Sequence, residues 1–206
     1  MDRGLFITFE GIDGCGKSTQ IGLLTDWLEK RKADFVLVRE PGGTPVGEKI
    51  RTILLDKEND GMSPVAELLL FEAARAQIVS ERIRPALCEG RYVICDRFFD
   101  STYAYQGVAR NLGTDLVNGL NRMAAGGLEP DLTFFLDISV DESFKRRRSR
   151  AIEDDRIELL GRDFQNKVRG GYLEAAKASQ RIKTVDASGT PEEIFNIIKG
   201  YITERE

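Results

Sequence analysis

The sequence predicts one doubly wound α/β domain, a parallel sheet with helices on both faces. Three observations lead there. Short apolar runs alternate with longer amphipathic stretches, the pattern of repeated βαβ units. A glycine-rich loop, "EGIDGCGKST" (residues 10–19), joins the first apolar run to the first amphipathic stretch. The 206 residues are 41% apolar and 31% charged, which is enough for a sizeable core and ordinary for a globular chain.

The strands are read in order as "LFITF" (5–9), "FVLV" (35–38), "YVIC" (92–95), "LTFFL" (132–136) and "IKTVD" (182–186). The first four are nearly continuous in apolar or β-branched residues, as strands covered on both faces are. The fifth is weaker, with Lys183 exposed or at an edge. Helices are expected over roughly 17–32, 45–55, 64–89, 115–125, 140–150, 159–179 and 191–203. Ser63-Pro64 supplies an N-cap followed by proline at the first helical position. Thr190-Pro191-Glu192-Glu193 can close a capping box. No repeat or Gly/Ser/Pro-rich linker divides the chain, so residues 1–206 read as one domain.

Composition removes several function classes. There is no histidine, so Ser/His and Cys/His catalysis and His-ligated metals are excluded. The net charge of −4 argues against stable nucleic-acid binding. Cys15, Cys88 and Cys95 form an odd set without C-x-x-C spacing, which argues against a disulfide framework and for a reducing cytosol. The chain reaches an apolar strand within four residues, and no apolar run approaches ~18 residues. A cytoplasmic protein without a membrane partner is expected.

The loop frame Gly11-x-x-x-x-Gly16-Lys17-Ser18, set between a strand and a helix, is that of a loop that wraps phosphates. Its glycines let backbone N–H groups converge on a phosphate, and the helix dipole adds to them. Lys17 would reach the terminal phosphates and the Ser18 hydroxyl a Mg²⁺ ion. Two strand-end acids, Asp96 and Asp137, fit the second metal-side carboxylate equally well in form. Asp13 is the anomaly, a carboxylate inside a loop built to attract anions. Outside the loop, Arg51, Arg75 and Arg97 offer a second anion site, with Arg97 directly after Asp96.

The segments "REPGG" (39–43), "FEAARAQ" (71–77), "DRFFDSTYAYQG" (96–107), "GLEPDLTFFLD" (127–137) and "DRIE" (155–158) follow the glycine loop in register. Together the chain resembles bacterial thymidylate kinases from the first strand to the last helix. The resemblance implies a P-loop kinase fold with a five-stranded parallel sheet, a homodimer, and Mg²⁺-dependent transfer of the γ-phosphoryl of ATP to dTMP. It implies that ATP is bound by Gly11, Ile12, Asp13, Gly14, Cys15, Gly16, Lys17, Ser18 and Thr19, with Arg146 from an arginine-rich lid at about 145–158. Ser18 and Asp96 would hold the metal. For dTMP it implies Phe71 stacked on the base, Arg75 at a base carbonyl, and Thr102 and Gln106 on the pyrimidine edge. Ser101 would support that loop, and Tyr105 would crowd the 2′ position. Arg51 and Arg97 would hold the acceptor phosphate, with Glu40 nearby. Asp13 would accept a hydrogen bond from the 3′-hydroxyl, which gives the loop acid a purpose.

Position 14 is glycine where another branch of that family carries arginine. The chain thus resembles the bacterial branch without that arginine, which implies that a lid arginine meets the γ-phosphate instead, Arg150 first, with Arg146 and Arg148 as alternatives. Lys17, Arg97, Arg150 and Asp13 are the expected catalytic set. A kinase for another monophosphate, a deoxynucleoside kinase and a non-catalytic nucleotide switch remain as other readings. Cys15, inside the loop, is expected to react with thiol reagents unless ATP protects it, while Cys88 and Cys95 should react slowly.

Overall fold

Five parallel strands run through the centre of the molecule: β1 (Phe6–Glu10), β2 (Phe35–Arg39), β3 (Tyr92–Asp96), β4 (Leu132–Asp137) and β5 (Ile182–Asp186). Their order is β2-β3-β1-β4-β5. This is a computed structural model, and it describes residues 4–148 and 155–206. β1 pairs with β3 on one side (Phe9 beside Asp96) and with β4 on the other (Glu10 beside Phe135). The carboxyl ends of all three therefore open on one edge. A crevice outside such ends, where the strand order reverses, is where α/β sheets bind ligands.

Helices cover both faces: α1 (Lys17–Lys30), α2 (Pro45–Leu55), α3 (Pro64–Ile78), α4 (Arg84–Cys88), α5 (Phe99–Thr102), α6 (Thr114–Ala124), α7 (Val140–Arg148), α8 (Arg162–Ala178) and α9 (Pro191–Arg205). Ser63 caps α3 through the Ala66 N–H, and the Thr190–Glu193 capping box opens α9. One apolar cluster joins Phe9, Leu24, Phe134, Val168, Tyr172 and Ile198. A second joins Phe6, Val38, Ile78, Ile83, Val93 and Phe98. No helix among the described residues is long and apolar enough to cross a membrane.

Four features depart from the expected elements. The long helix over 64–89 is interrupted by a π-helical turn at Val79–Ile83. α8 begins at Arg162, after a turn rather than from 159. β2 is an edge strand with Leu37 48% exposed, so a continuous apolar run did not mean cover on both faces. Residues 99–109, outside every expected helix, are helical: α5 runs into a π-helical stretch, Tyr103–Ala109. Its small residues explain this, because Ala104 packs so tightly on α8 that a Cβ at Gly171 would lie 2.9 Å from the Ala104 Cα. The end of the helix expected over 140–150 lies outside the described residues.

Candidate active site

The glycine loop leaves β1 at Glu10 and bends through positive φ at Gly11, Gly14 and Gly16. Gly16, with φ 102°, caps α1 by its backbone alone, leaving the helix N-terminus turned to the cleft. Ile12 and Cys15 turn their side chains into the core, each 1% exposed, so only their backbone faces a ligand. Lys17 arches back over the loop, its Nζ 3.1 Å from the Gly11 carbonyl oxygen. Ser18 and Thr19 are exposed at the start of the helix.

The loop acid has a partner. Arg97 Nη2 donates to Asp13 Oδ1 at 2.6 Å, and Lys17 Nζ lies 3.9 Å from the same oxygen. Burial opposes the charge on Asp13, but Arg97 and Lys17 outweigh it and hold the carboxyl down at about 2. Arg97 occupies the left-handed region at φ 69°, unusual for a side chain with a Cβ. The turn is anchored by Glu10, whose Oε1 accepts from the Phe98 N–H at 2.7 Å. Glu10 Oε2 accepts from Ser101 Oγ (2.6 Å) and from the Tyr172 hydroxyl (2.9 Å). Both hydroxyls in turn accept from Arg97 Nη1, at 3.2 and 3.1 Å. Burial and then Asp100 push the Glu10 carboxyl up to about 7, against the pull of Arg97, Ser101 and the Phe98 N–H.

One cleft is lined by Asp13, Lys17, Ser18, Glu40, Arg51 and Phe71, and by Arg75, Asp96, Arg97, Ser101, Thr102, Tyr105 and Gln106. Phosphate-loop and acceptor-side residues from distant parts of the sequence thus meet in one place. Phe71 is half-buried, on the helix that also carries Arg75. Arg75 is buried with all five N–H groups engaged: Glu40 accepts two, and Glu72, Asn121 and Thr102 Oγ1 accept one each. A ligand carbonyl would have to compete for one of these donors. Arg51 donates to the Pro41 carbonyl at 3.0 Å. Tyr105 lies under Arg97, whose guanidinium carbon is 5.4 Å from the ring centroid.

The two strand-end acids separate clearly. Asp137 forms a bidentate pair with Arg169 at 2.6 and 2.9 Å, the structural use of such a residue. Asp96 instead has a buried Oδ1 without a hydrogen-bond partner among the described residues, as does Glu40 at Oε1. Burial drives the Glu40 carboxyl up to about 7 in spite of Arg75. No cluster of three potential ligating side chains occurs among the described residues.

The lid is described only in part, and Arg150 lies outside the described residues. Arg146 does not line this cleft and donates to Glu142 Oε1 and to the Ala187 carbonyl at 3.1 Å each. Arg148 is exposed. Arg147, not singled out from sequence, approaches the loop: its Cγ would lie 3.2 Å from a Cβ placed on Gly14. Cys95 is buried as expected, but the other two cysteines depart from the expectation. Cys15 is buried beneath the loop, and Cys88, expected to be shielded, is exposed near the end of α4. Glu10, Tyr172 and Glu67 were also missed. A carboxylate inside an apolar strand was a readable sign for Glu10; the other two give none.

A parallel sheet with a phosphate loop at its switch point, and a second cationic site in the same cleft, defines a P-loop kinase. A sequence profile described as Thymidylate kinase matches residues 9–198. The chain is 49% identical over 201 residues to the thymidylate kinase of Symbiobacterium thermophilum, covering 97% of this chain and 93% of that one. It is 53% identical over 175 residues to the thymidylate kinase of Caldanaerobacter subterraneus, covering 85% and 83%. The crystal structure of thymidylate kinase from Ehrlichia chaffeensis superposes with a TM-score of 0.81 at 32% identity, covering 97% of this chain and 99% of that one. The chain belongs to the thymidylate kinase family.

Proposed function

We propose that the protein transfers the γ-phosphoryl group of ATP to dTMP, giving dTDP and ADP in the cytoplasm. The observation that carries this reading is the single cleft in which Lys17 and Arg97 converge on Asp13, with Arg51 on the same wall. A donor phosphate held by the loop would face an acceptor phosphate held by Arg51 and Arg97. Phosphoryl transfer needs such positioning and charge neutralisation more than a general base.

Asp13, aimed across the cleft by Arg97, accepts the sugar 3′-hydroxyl. Phe71 stacks on the thymine, and Tyr105 closes the 2′ side against a ribose. Thr102 and Gln106 contact the base edge, and Arg75 reaches a base carbonyl by exchanging one of its internal bonds. The unpartnered Asp96 oxygen and the exposed Ser18 hydroxyl suit Mg²⁺, which takes few protein oxygens and completes its shell with phosphates and water. A Mg²⁺ ion held by Ser18 and Asp96 would supply neutralisation of phosphate charge. The lid supplies the γ-phosphate cation, with Arg150 the first candidate.

A homodimer is supported by exposed apolar side chains on three adjacent helices: Val46 and Ile53 on α2, Val65 and Leu69 on α3, Leu116 and Met123 on α6. Their spacings of four and seven residues put each pair on one helix face. ADP release from ATP, measured with dTMP, dUMP, dCMP, the ribose analogue of dTMP and thymidine, tests the reaction. Dependence on dTMP is expected. Equal turnover with thymidine would favour a nucleoside kinase, and dTMP-independent release a nucleotide switch.

A further inference from the structure

Behind the base side of the cleft lies a buried carboxylate that the proposed chemistry does not use. Glu67, on α3, is 1% exposed and does not line the cleft. Gln106, which does, donates from Nε2 to Glu67 Oε1 at 2.9 Å. Arg110 grips the same carboxylate through Nε (3.2 Å) and Nη2 (3.0 Å). Arg156, entering from the lid side and tethered to the Leu54 carbonyl, places Nη2 2.7 Å from Glu67 Oε2. Burial works against the charge on Glu67, but Arg110, Gln106 and Arg156 overcome it and hold the carboxyl below its usual range.

An ionised carboxylate can only accept hydrogen bonds. The NH₂ of Gln106 must therefore face Glu67, which leaves its carbonyl oxygen as the group offered elsewhere. A flipped amide would set an oxygen against the carboxylate, the buried mismatch that polar sites avoid. We infer that Glu67 is a specificity-determining positioning residue: it locks the Gln106 amide with its carbonyl toward the cleft, selecting pyrimidines with a ring N–H over those with a ring lone pair. Thymine and uracil present N3–H, whereas cytosine presents a bare N3. This inference rests on the reading of Gln106 as a base contact. Sites built to hydrogen-bond one partner reject a mismatched one by as much as about 10⁴–10⁵.

The test is Glu67→Gln, whose amide can face either orientation of Gln106. In a variant that folds, the dTMP-to-dCMP ratio of kcat/KM should fall by about tenfold or more. The dTMP-to-dUMP ratio should not move, because both bases carry N3–H; a merely loosened structure would not separate the two ratios. In a Gln106→Ala background the effect of Glu67→Gln should vanish. An unchanged dTMP-to-dCMP ratio, or the same fall without Gln106, would overturn the inference alone. Wild-type enzyme that does not act on dTMP would sink the underlying reading and the inference with it, before any variant is made. Should Glu67→Gln fail to fold, wild-type protein with isotope-labelled dTMP decides by NMR. A hydrogen-bond coupling from thymine N3 to the Gln106 side-chain carbonyl carbon is expected. Contact of the Gln106 NH₂ with thymine O4, without that coupling, would refute it.

Discussion

Asp13 Oδ1 and Arg97 Nη2 sit 2.6 Å apart, joining the phosphate loop to the end of β3 across 84 residues of sequence. The pair restrains each group: Asp13 also lies 3.9 Å from Lys17 Nζ, and Arg97 is further held by Ser101 and Tyr172, with both residues lining the cleft.

Arg97→Ala should nearly abolish turnover while ATP binding survives. The loss of a largely buried charge contact to the acceptor should cost roughly 2–5 kcal/mol in binding and alignment. Steady-state kinetics with calorimetry for ATP check this. Full activity with an unchanged KM for dTMP would remove Arg97 from the site.

Phe71→Ala should raise KM for dTMP and leave ATP affinity alone, since stacking is lost equally from ground and transition states. Calorimetric titration of both nucleotides decides it. Equal dTMP affinity with a lowered Tm would return Phe71 to a packing role.

The two strand-end acids should differ in kind. Asp96→Asn should lower kcat and raise the Mg²⁺ concentration for half-maximal rate. Asp137→Asn should leave both unchanged and cost about 1 kcal/mol or less of stability, because Arg169 is partly solvated. Matched Mg²⁺ titrations would expose the opposite pattern.

Stability should respond to pH in opposite senses at two carboxylates. Glu10 sits at about 7 in the folded protein against an ordinary 4.5, so its contribution is complete below 4.5 and is lost as pH rises through 7. Glu10→Gln should therefore flatten the fall of Tm over that window; Glu40, raised in the same way, keeps part of the slope. Asp13 sits at about 2 against 3.8, so its contribution is present above 3.8 and disappears as pH falls through 2. Thermal melts of Asp13→Asn should converge on wild type at the acid end. Parallel curves across the whole range would contradict both assignments.

A thiol reagent should label the exposed Cys88 first and spare activity, because α4 lies away from the cleft. Cys95 is buried, and burial pushes its thiol up further, so it should react slowly. Peptide mass spectrometry with residual-activity assays would follow this. Inactivation that keeps pace with labelling and disappears in Cys15→Ala would reverse the order.

Local signals carried the fold a long way. Nearly continuous apolar runs located four strands and a weaker, interrupted run the fifth, and the Thr190–Glu193 pattern gave both the start and the cap of α9. What stayed hidden depends on contacts distant in sequence. The apolar run at β2 is compatible with an edge or an interior strand, and only the final sheet order exposes Leu37. The helical stretch over 99–109 turns Ser101, Thr102 and Gln106 to the cleft and packs on α8, a contact distant in sequence that no local stripe announces. Gly16, Lys17, Asp96 and Arg97 were legible because motif and strand end lie together. Tyr172 was not, for its hydroxyl meets Glu10 across 162 residues. Cys15 misled because the loop's backbone faces outward while the Ile12 and Cys15 side chains turn in.

Gly14 has φ 85°, and a Cβ there would lie 2.9 Å from the Ser143 carbonyl oxygen of α7. The same helix is fastened to the loop by Ser143 Oγ, which donates to the Asp13 carbonyl at 2.6 Å. A side chain at position 14 and the present seat of α7 therefore exclude one another. A single substitution to arginine would not add a second cation to the loop; it would first dislodge the helix that leads into the lid. In the proposed reaction, a cation at position 14 and one delivered by the lid would therefore compete for a single placement of α7.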